Sequence, residues 1–189
     1  MDNSHKKETN LTTELRVKIS GFGGQGIILS SFIVGQAATI FDGKQASMTQ
    51  SYGPEARGGA CSSQVIISDN EVDYPMVDEA DVLIAMSQES YDKFIGILKD
   101  KGILLYDSDL VKNLQPPKNL TVKSIPATRL AEELGKKIVA NIVMLGFATA
   151  QAKVATYEAM KSAIKKSVPA KFTELNMKAF QIGYDYKGD

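Results

Sequence analysis

The run LRVKIS (15–20), GFGGQG (21–26), IILSSFIVGQAATIF (27–41) constrains the fold of this chain more than any other. LRVKIS alternates apolar and polar residues, as a half-buried strand does. A glycine cluster ends it, and an apolar run without proline follows, which fits a buried helix. Gly21, Gly23 and Gly26 match the spacing G-x-G-x-x-G, with Gly24 and Gln25 between them. In that setting the backbone can approach a bound anion while the helix N-terminus aims free N–H groups at it. The same glycines would also serve a tight strand-to-helix turn with no ligand, and the residues alone leave both readings open.

Further along, KQASM (44–48) reads as a short second strand, and CSSQVIIS with EVDYP as a hairpin around Asp69 and Asn70. ADVLIAMS (80–87), GILLYDS and LTVKSIPA are near-continuous apolar runs, as expected of strands covered on both faces. QESYDKFIGILKD (88–100) carries Tyr91, Phe94, Ile95 and Leu98 at helical spacing. From Thr128 onward the pattern is helical. Strands alternating with helices predict an α/β fold: a mostly parallel, doubly wound, Rossmann-like sheet flanked by helices, with a helical C-terminal part. Residues 15–189 are expected to form a single α/β domain. Residues 1–14 are expected to be a disordered tail, because they lack the apolar stretch of a signal peptide.

In a doubly wound sheet the loops at the carboxyl ends of the strands form the ligand crevice. With KQASM parallel beside LRVKIS, the polar stretch QSYGPEARGGA (50–60) would emerge next to the glycine loop. It gathers Tyr52, a turn at Gly53-Pro54, Glu55, Arg57 and the flexible pair Gly58-Gly59. Arg57 could offer a two-pronged donor to phosphate or carboxylate. Glu55 would orient Arg57 or act as an acid–base group, and in a plain surface loop the two would simply pair. Ser87 is placed to cap the following helix, to touch a ligand, or both. Asp107-Ser108 has a similar position and a similar structural alternative. Asn141, polar in an apolar helix, is expected to hydrogen-bond a partner loop or subunit. Cys61 reads as a small buried hydrophobe rather than a reactive thiol.

Absences exclude several chemistries. The only histidine is His5, so no Ser-His, Cys-His or histidine–metal site can be assembled within the chain. One cysteine forms no internal disulfide, suits a reducing cytoplasm, and falls short of the roughly four thiolates an iron–sulfur cluster needs. Lys+Arg and Asp+Glu both number 22, which gives no reason to expect nucleic acid or an anionic membrane as partner. No apolar run reaches the roughly 20 residues that span a bilayer. An NAD site would want an acid at the end of the second strand, where Met48, Thr49, Gln50 and Ser51 stand; Asp42 precedes that strand.

Three blocks, GFGGQGIILS, QASMTQSYGPEARGGACSSQVIIS and ADVLIAMSQESYDKF, resemble the gamma subunit of 2-oxoacid:ferredoxin oxidoreductases. YGPEARGG together with MSQESYDK is most similar to the 2-oxoglutarate branch. The resemblance implies one subunit of a larger enzyme, inactive alone, working with alpha, beta and ferredoxin-like delta subunits and with ferredoxin as electron acceptor. Thiamine diphosphate, magnesium and iron–sulfur clusters would then sit in the partners. Coenzyme A is a possible ligand of this chain's glycine loops. The alternatives are an independent NAD- or FAD-binding oxidoreductase and a scaffold without a ligand. Long apolar helix faces make a homodimer of the isolated chain plausible.

Overall fold

The computed structural model of the chain describes residues 14–52, 60–72 and 76–188. Six strands form one sheet: β1 Leu15–Phe22, β2 Gln45–Tyr52, β3 Ala60–Ser68, β4 Ala80–Ala85, β5 Leu98–Asp107 and β6 Thr121–Ile125. Their order across the sheet is β2-β3-β1-β4-β5-β6. β1, β4, β5 and β6 pair in parallel, whereas β3 is antiparallel to both β1 and β2. The expected α/β sheet is present, with one correction. β2 does not lie beside β1, because β3 is inserted between them. β2 and β3 pair antiparallel as a hairpin, since the seven residues from 53 to 59 are fewer than the roughly a dozen that a parallel crossover needs. The crossover from β1 to β2 runs through the helix Ile27–Gln36 and leaves the place beside β1 to β3.

That hairpin replaces the one expected around Asp69 and Asn70: the partner of CSSQVIIS is β2, and no strand forms among the described residues of EVDYP. β2 is also longer than KQASM and takes in Gln50, Ser51 and Tyr52.

Helices cover both faces of the sheet. α1 Ile27–Gln36, which passes into a wider π-helical turn at Ala37–Phe41, packs with α3 Ala127–Glu133, α4 Ala140–Ala152, α5 Tyr157–Ser167 and α6 Thr173–Asp185 around the main core. α2 Gln88–Phe94 covers the other face. The alternation along β4 shows the division, since Val82 and Ile84 enter the first core while Leu83 and Ala85 enter the second. α2 is shorter than its spacing suggests: a 3-10 turn at Ile95–Ile97 ends it, and Leu98 already belongs to β5.

α4 and α6 touch backbone to backbone. A Cβ at Gly183 would stand 1.8 Å from the carbonyl oxygen of Val143, and one at Gly146 would stand 2.1 Å from that of Phe180. The start of α4, three residues before Val143, supports the glycine loop through Asn141.

Candidate functional site

The strand register brings the two sequence-predicted loops to one edge. Phe22, the last residue of β1, pairs with Ala60, and Tyr52 pairs with Cys61. The 53–59 segment therefore leaves and returns at the same carboxyl end that carries GFGGQG, with β3 bridging the gap. Gly53, Glu55, Arg57, Gly58 and Gly59, and with them the expected Arg57 fork, lie outside the described residues.

The glycine loop itself is held by a side-chain clasp. Gln25 Oε1 accepts the Phe22 N–H at 2.6 Å, and its Nε2 donates to the Met86 carbonyl at 2.9 Å. One amide thus ties the end of β1 to the end of β4. The clasp needs Gly21, because a Cβ there would lie 2.3 Å from Gln25 Oε1. Gly23 and Gly24 are exposed, and Gly24 has φ +102, where an L side chain is strained. Gly26 is the N-cap of α1 in a left-handed conformation, φ 76, with no side chain capping the helix and no acid in its first turn. The first-turn N–H groups of a helix have no intrahelical acceptor. They open beside the exposed glycines at the positive end of the helix dipole.

Asn141, one residue into α4, supports this N-cap from below. Its Nδ2 lies 3.4 Å from the Gly26 carbonyl and 3.4 Å from Ser30 Oγ, and Ser30 Oγ itself donates to Gly26 O at 3.0 Å. The expected bond to a partner loop is present, and the loop is the glycine loop of the same chain. That partner stands 115 residues away, and no local pattern announces it.

Ser87 is buried. It caps α2 by accepting from Ser90 N at 3.2 Å and shares a hydroxyl contact of 2.7 Å with Ser90. Ser90 is also bonded by Ser20 Oγ at 3.0 Å. The capping role accounts for the Ser87 hydroxyl as it stands. Asp107 is likewise structural. One oxygen accepts from Thr128 N and Oγ1 at 2.9 and 2.6 Å, the other from Asp109 N at 2.9 Å, so the carboxylate ties the end of β5 to the start of α3. Burial nonetheless pushes its pKa up. Burial also raises the pKa of the Cys61 thiol, which favours the unreactive protonated form. Asp42 lies at the opposite edge and holds the start of α5 through Thr156 N at 2.9 Å and Oγ1 at 2.6 Å. Among the described residues no cluster of His, Cys, Asp or Glu could hold a metal ion, and no helix is long and apolar enough to cross a membrane.

An anion-ready glycine loop at the carboxyl edge of a mixed sheet suits many enzymes, and comparison with known proteins narrows the choice. The family model described as pyruvate ferredoxin/flavodoxin oxidoreductase matches residues 16–186. The chain belongs to this family. Its match to the 2-oxoglutarate synthase subunit KorC of Methanocaldococcus jannaschii is 47% identical and covers 96% of this chain and 97% of the relative. The keto/oxoacid ferredoxin oxidoreductase gamma subunit of Geobacter sulfurreducens superposes with a TM-score of 0.81 at 47% identity, over 90% of this chain and 96% of that one. The ketoisovalerate oxidoreductase subunit VorA of Methanothermobacter marburgensis is 38% identical over 92% of this chain, yet the match takes up only 36% of that longer polypeptide. This member of the oxidoreductase family is a gamma subunit of the 2-oxoacid:ferredoxin type, as its three sequence blocks implied, and the Methanocaldococcus relative is a subunit of a 2-oxoglutarate synthase, the branch that YGPEARGG with MSQESYDK resembles.

Proposed function

We propose that the chain serves in a 2-oxoglutarate:ferredoxin oxidoreductase and supplies the anion-binding wall of the site where coenzyme A takes up the acyl group. The complex decarboxylates the 2-oxoacid on thiamine diphosphate, passes two electrons through iron–sulfur clusters to ferredoxin, and forms the acyl-CoA. The clusters belong to partner subunits, since one cysteine cannot hold them, and thiamine diphosphate with its magnesium belongs to the partners too, since this chain has no GDG followed by an Asn pair. Its own part is binding and orientation.

The observation that carries this reading is the uncapped N-terminus of α1. It begins at Gly26, next to exposed Gly23 and Gly24 in a loop that Gln25 clasps to the ends of β1 and β4, at the edge where β2 ends and β3 begins. Coenzyme A presents a diphosphate and a 3′-phosphate, which such amides can receive without a protein cation. Arg57, with Glu55 orienting it and Gly58-Gly59 giving it freedom, adds a fork from the second loop. The topology disfavours the NAD reading. With β3 next to β1, the end of β2 is displaced from the glycine loop, and Asp42 occupies the far edge.

Reconstitution tests the proposal. A complex lacking this chain should not reduce ferredoxin with 2-oxoglutarate and coenzyme A, and adding the chain should restore turnover. Arg57→Ala should raise KM for coenzyme A without loss of assembly. Unchanged KM and turnover in that variant would instead favour a scaffold.

A further inference from the structure

Beside the glycine loop, the outer surface of the helical layer carries a groove of about 480 Å³. α1, the start of α4 and the α5–α6 link line it, including Leu29, Ile138, Ile142, Phe172 and Leu175, and its rim includes Gly24 and Gly26. Ile138 is 72% exposed, Phe172 42% and Leu29 38%, while Phe32, one helical turn from Leu29, is 49% exposed. Large apolar side chains clustered in this way are a liability on a free protein and an asset at an interface. The one charged residue lining the groove, Lys136, makes no ion pair among the described residues.

We infer that this groove is the docking surface for the larger sister subunit of the same complex, which inserts an apolar knob between Ile138 and Phe172 and sets a carboxylate against Lys136. Two observations choose this occupant over a second copy of the chain. First, in the longer ketoisovalerate relative the matching stretch is about a third of one polypeptide, so this unit is made in continuity with a larger body. Second, Lys136 sits at the groove and asks for an acid, whereas a copy related by two-fold symmetry would bring an equivalent Lys136 and no new acid from the groove lining. The inference rests on the proposed place of the chain in the complex. It adds a geometric consequence: because Gly24 and Gly26 form the groove's rim, the docked subunit borders the anion site, which is then completed only on assembly.

The test co-expresses the sister subunits with wild-type chain, Ile138→Asp, Phe172→Asp and Lys136→Glu, and measures the affinity of reconstitution by mass photometry. All three positions are on the surface, and melting of each isolated variant checks that it folds like wild type. Each Asp variant should weaken assembly by about 30-fold or more, the loss expected when a buried apolar anchor is replaced. Lys136→Glu should weaken it less, and more at low salt than at high salt. Assembly of the Asp variants with wild-type affinity would overturn the inference and leave the proposed function standing. A wild-type homodimer that Ile138→Asp splits, with assembly intact, would overturn it in favour of a second copy. Failure of the wild-type chain to join any sister subunit would overturn the proposed function itself.

Discussion

Replacing Gly26 with alanine should disrupt the loop through two separable effects. Gly26 has φ +76, and holding an L residue in the left-handed region costs roughly 1–2 kcal/mol. The new Cβ would also stand 2.5 Å from Asn141 Nδ2 and 2.9 Å from its Cγ. The Asn141 side chain must therefore turn away, and its 3.4 Å contacts with Gly26 O and Ser30 Oγ are lost. Those long bonds and the disturbed buried amide are worth about 1 kcal/mol. Gly26→Ala should thus destabilise the isolated chain by about 2–3 kcal/mol in equilibrium urea unfolding. Asn141→Ala alone should cost about 1 kcal/mol. In the double variant the collision is gone, so the loss should fall short of additivity by about 1 kcal/mol, beyond the 0.3–0.5 kcal/mol scatter of independent sites. Gly24→Ala is the control. Its φ of +102 carries strain, but a Cβ there meets nothing within 4 Å, so it should not couple to Asn141. Additive losses for Gly26 and Asn141 would refute the claim that Asn141 braces the N-cap of α1.

Gly183→Ala should lower stability by about 3 kcal/mol or more, because the added carbon meets the Val143 carbonyl at 1.8 Å and backbone cannot yield as a side chain does; urea unfolding measures it. Asp107→Asn should cost about 1–3 kcal/mol in the same assay, since either orientation of the amide turns a donor toward an N–H that now has an acceptor. Lys18 lies buried in β1, 3.3 Å from Gln64 Oε1 and 4.6 Å from the centre of the Phe94 ring. Burial first, and then the nearby Lys93, lower its pKa. The folded state therefore binds fewer protons at Lys18 than the unfolded state, so wild-type stability should rise relative to Lys18→Met as pH climbs from the lowered value toward about 10.4. A flat difference across that range, followed by denaturant titration at each pH, would contradict the buried-ammonium description.

The parts of the fold written in local chemistry were legible in the sequence. Alternation in LRVKIS, the glycine run after it and the unbroken apolar runs of ADVLIAM and GILLYD place β1, the loop, β4 and β5, because period and turn residues are local properties. Strand order was harder to see, although one clue was present. Seven residues between Tyr52 and Ala60 are too few for a crossover, so β2 and β3 had to be a hairpin; which of the two lies beside β1 is a long-range choice that the connection length leaves open. Within the site, glycine spacing pointed to the helix N-terminus, but Gln25 was recognised only as a member of the motif and not as the clasp between β1 and β4. Its bond to Met86 spans 61 residues. The brace from Asn141 is more distant still, and a lone asparagine in an apolar helix names no partner. Ser87 shows the reverse case: its place just before an amphipathic run suggested an N-cap, a local role, and its hydroxyl accepts from Ser90 N at the start of α2.

The most direct test of the central claim is the dependence of turnover on coenzyme A when a carboxylate is placed in the glycine loop. In the reconstituted complex, Gly24→Asp sets a negative charge beside the first turn of α1, where nothing lies within 4 Å of the new Cβ. If these amides receive the phosphates of coenzyme A, KM for coenzyme A in 2-oxoglutarate-dependent ferredoxin reduction should rise at least about tenfold, the equivalent of roughly 1.4 kcal/mol. KM for 2-oxoglutarate should stay as in wild type, with both constants measured at subunit concentrations that saturate assembly, because Gly24 also lies on the rim of the docking groove. An unchanged KM for coenzyme A in an assembled, turning-over Gly24→Asp complex would contradict the account.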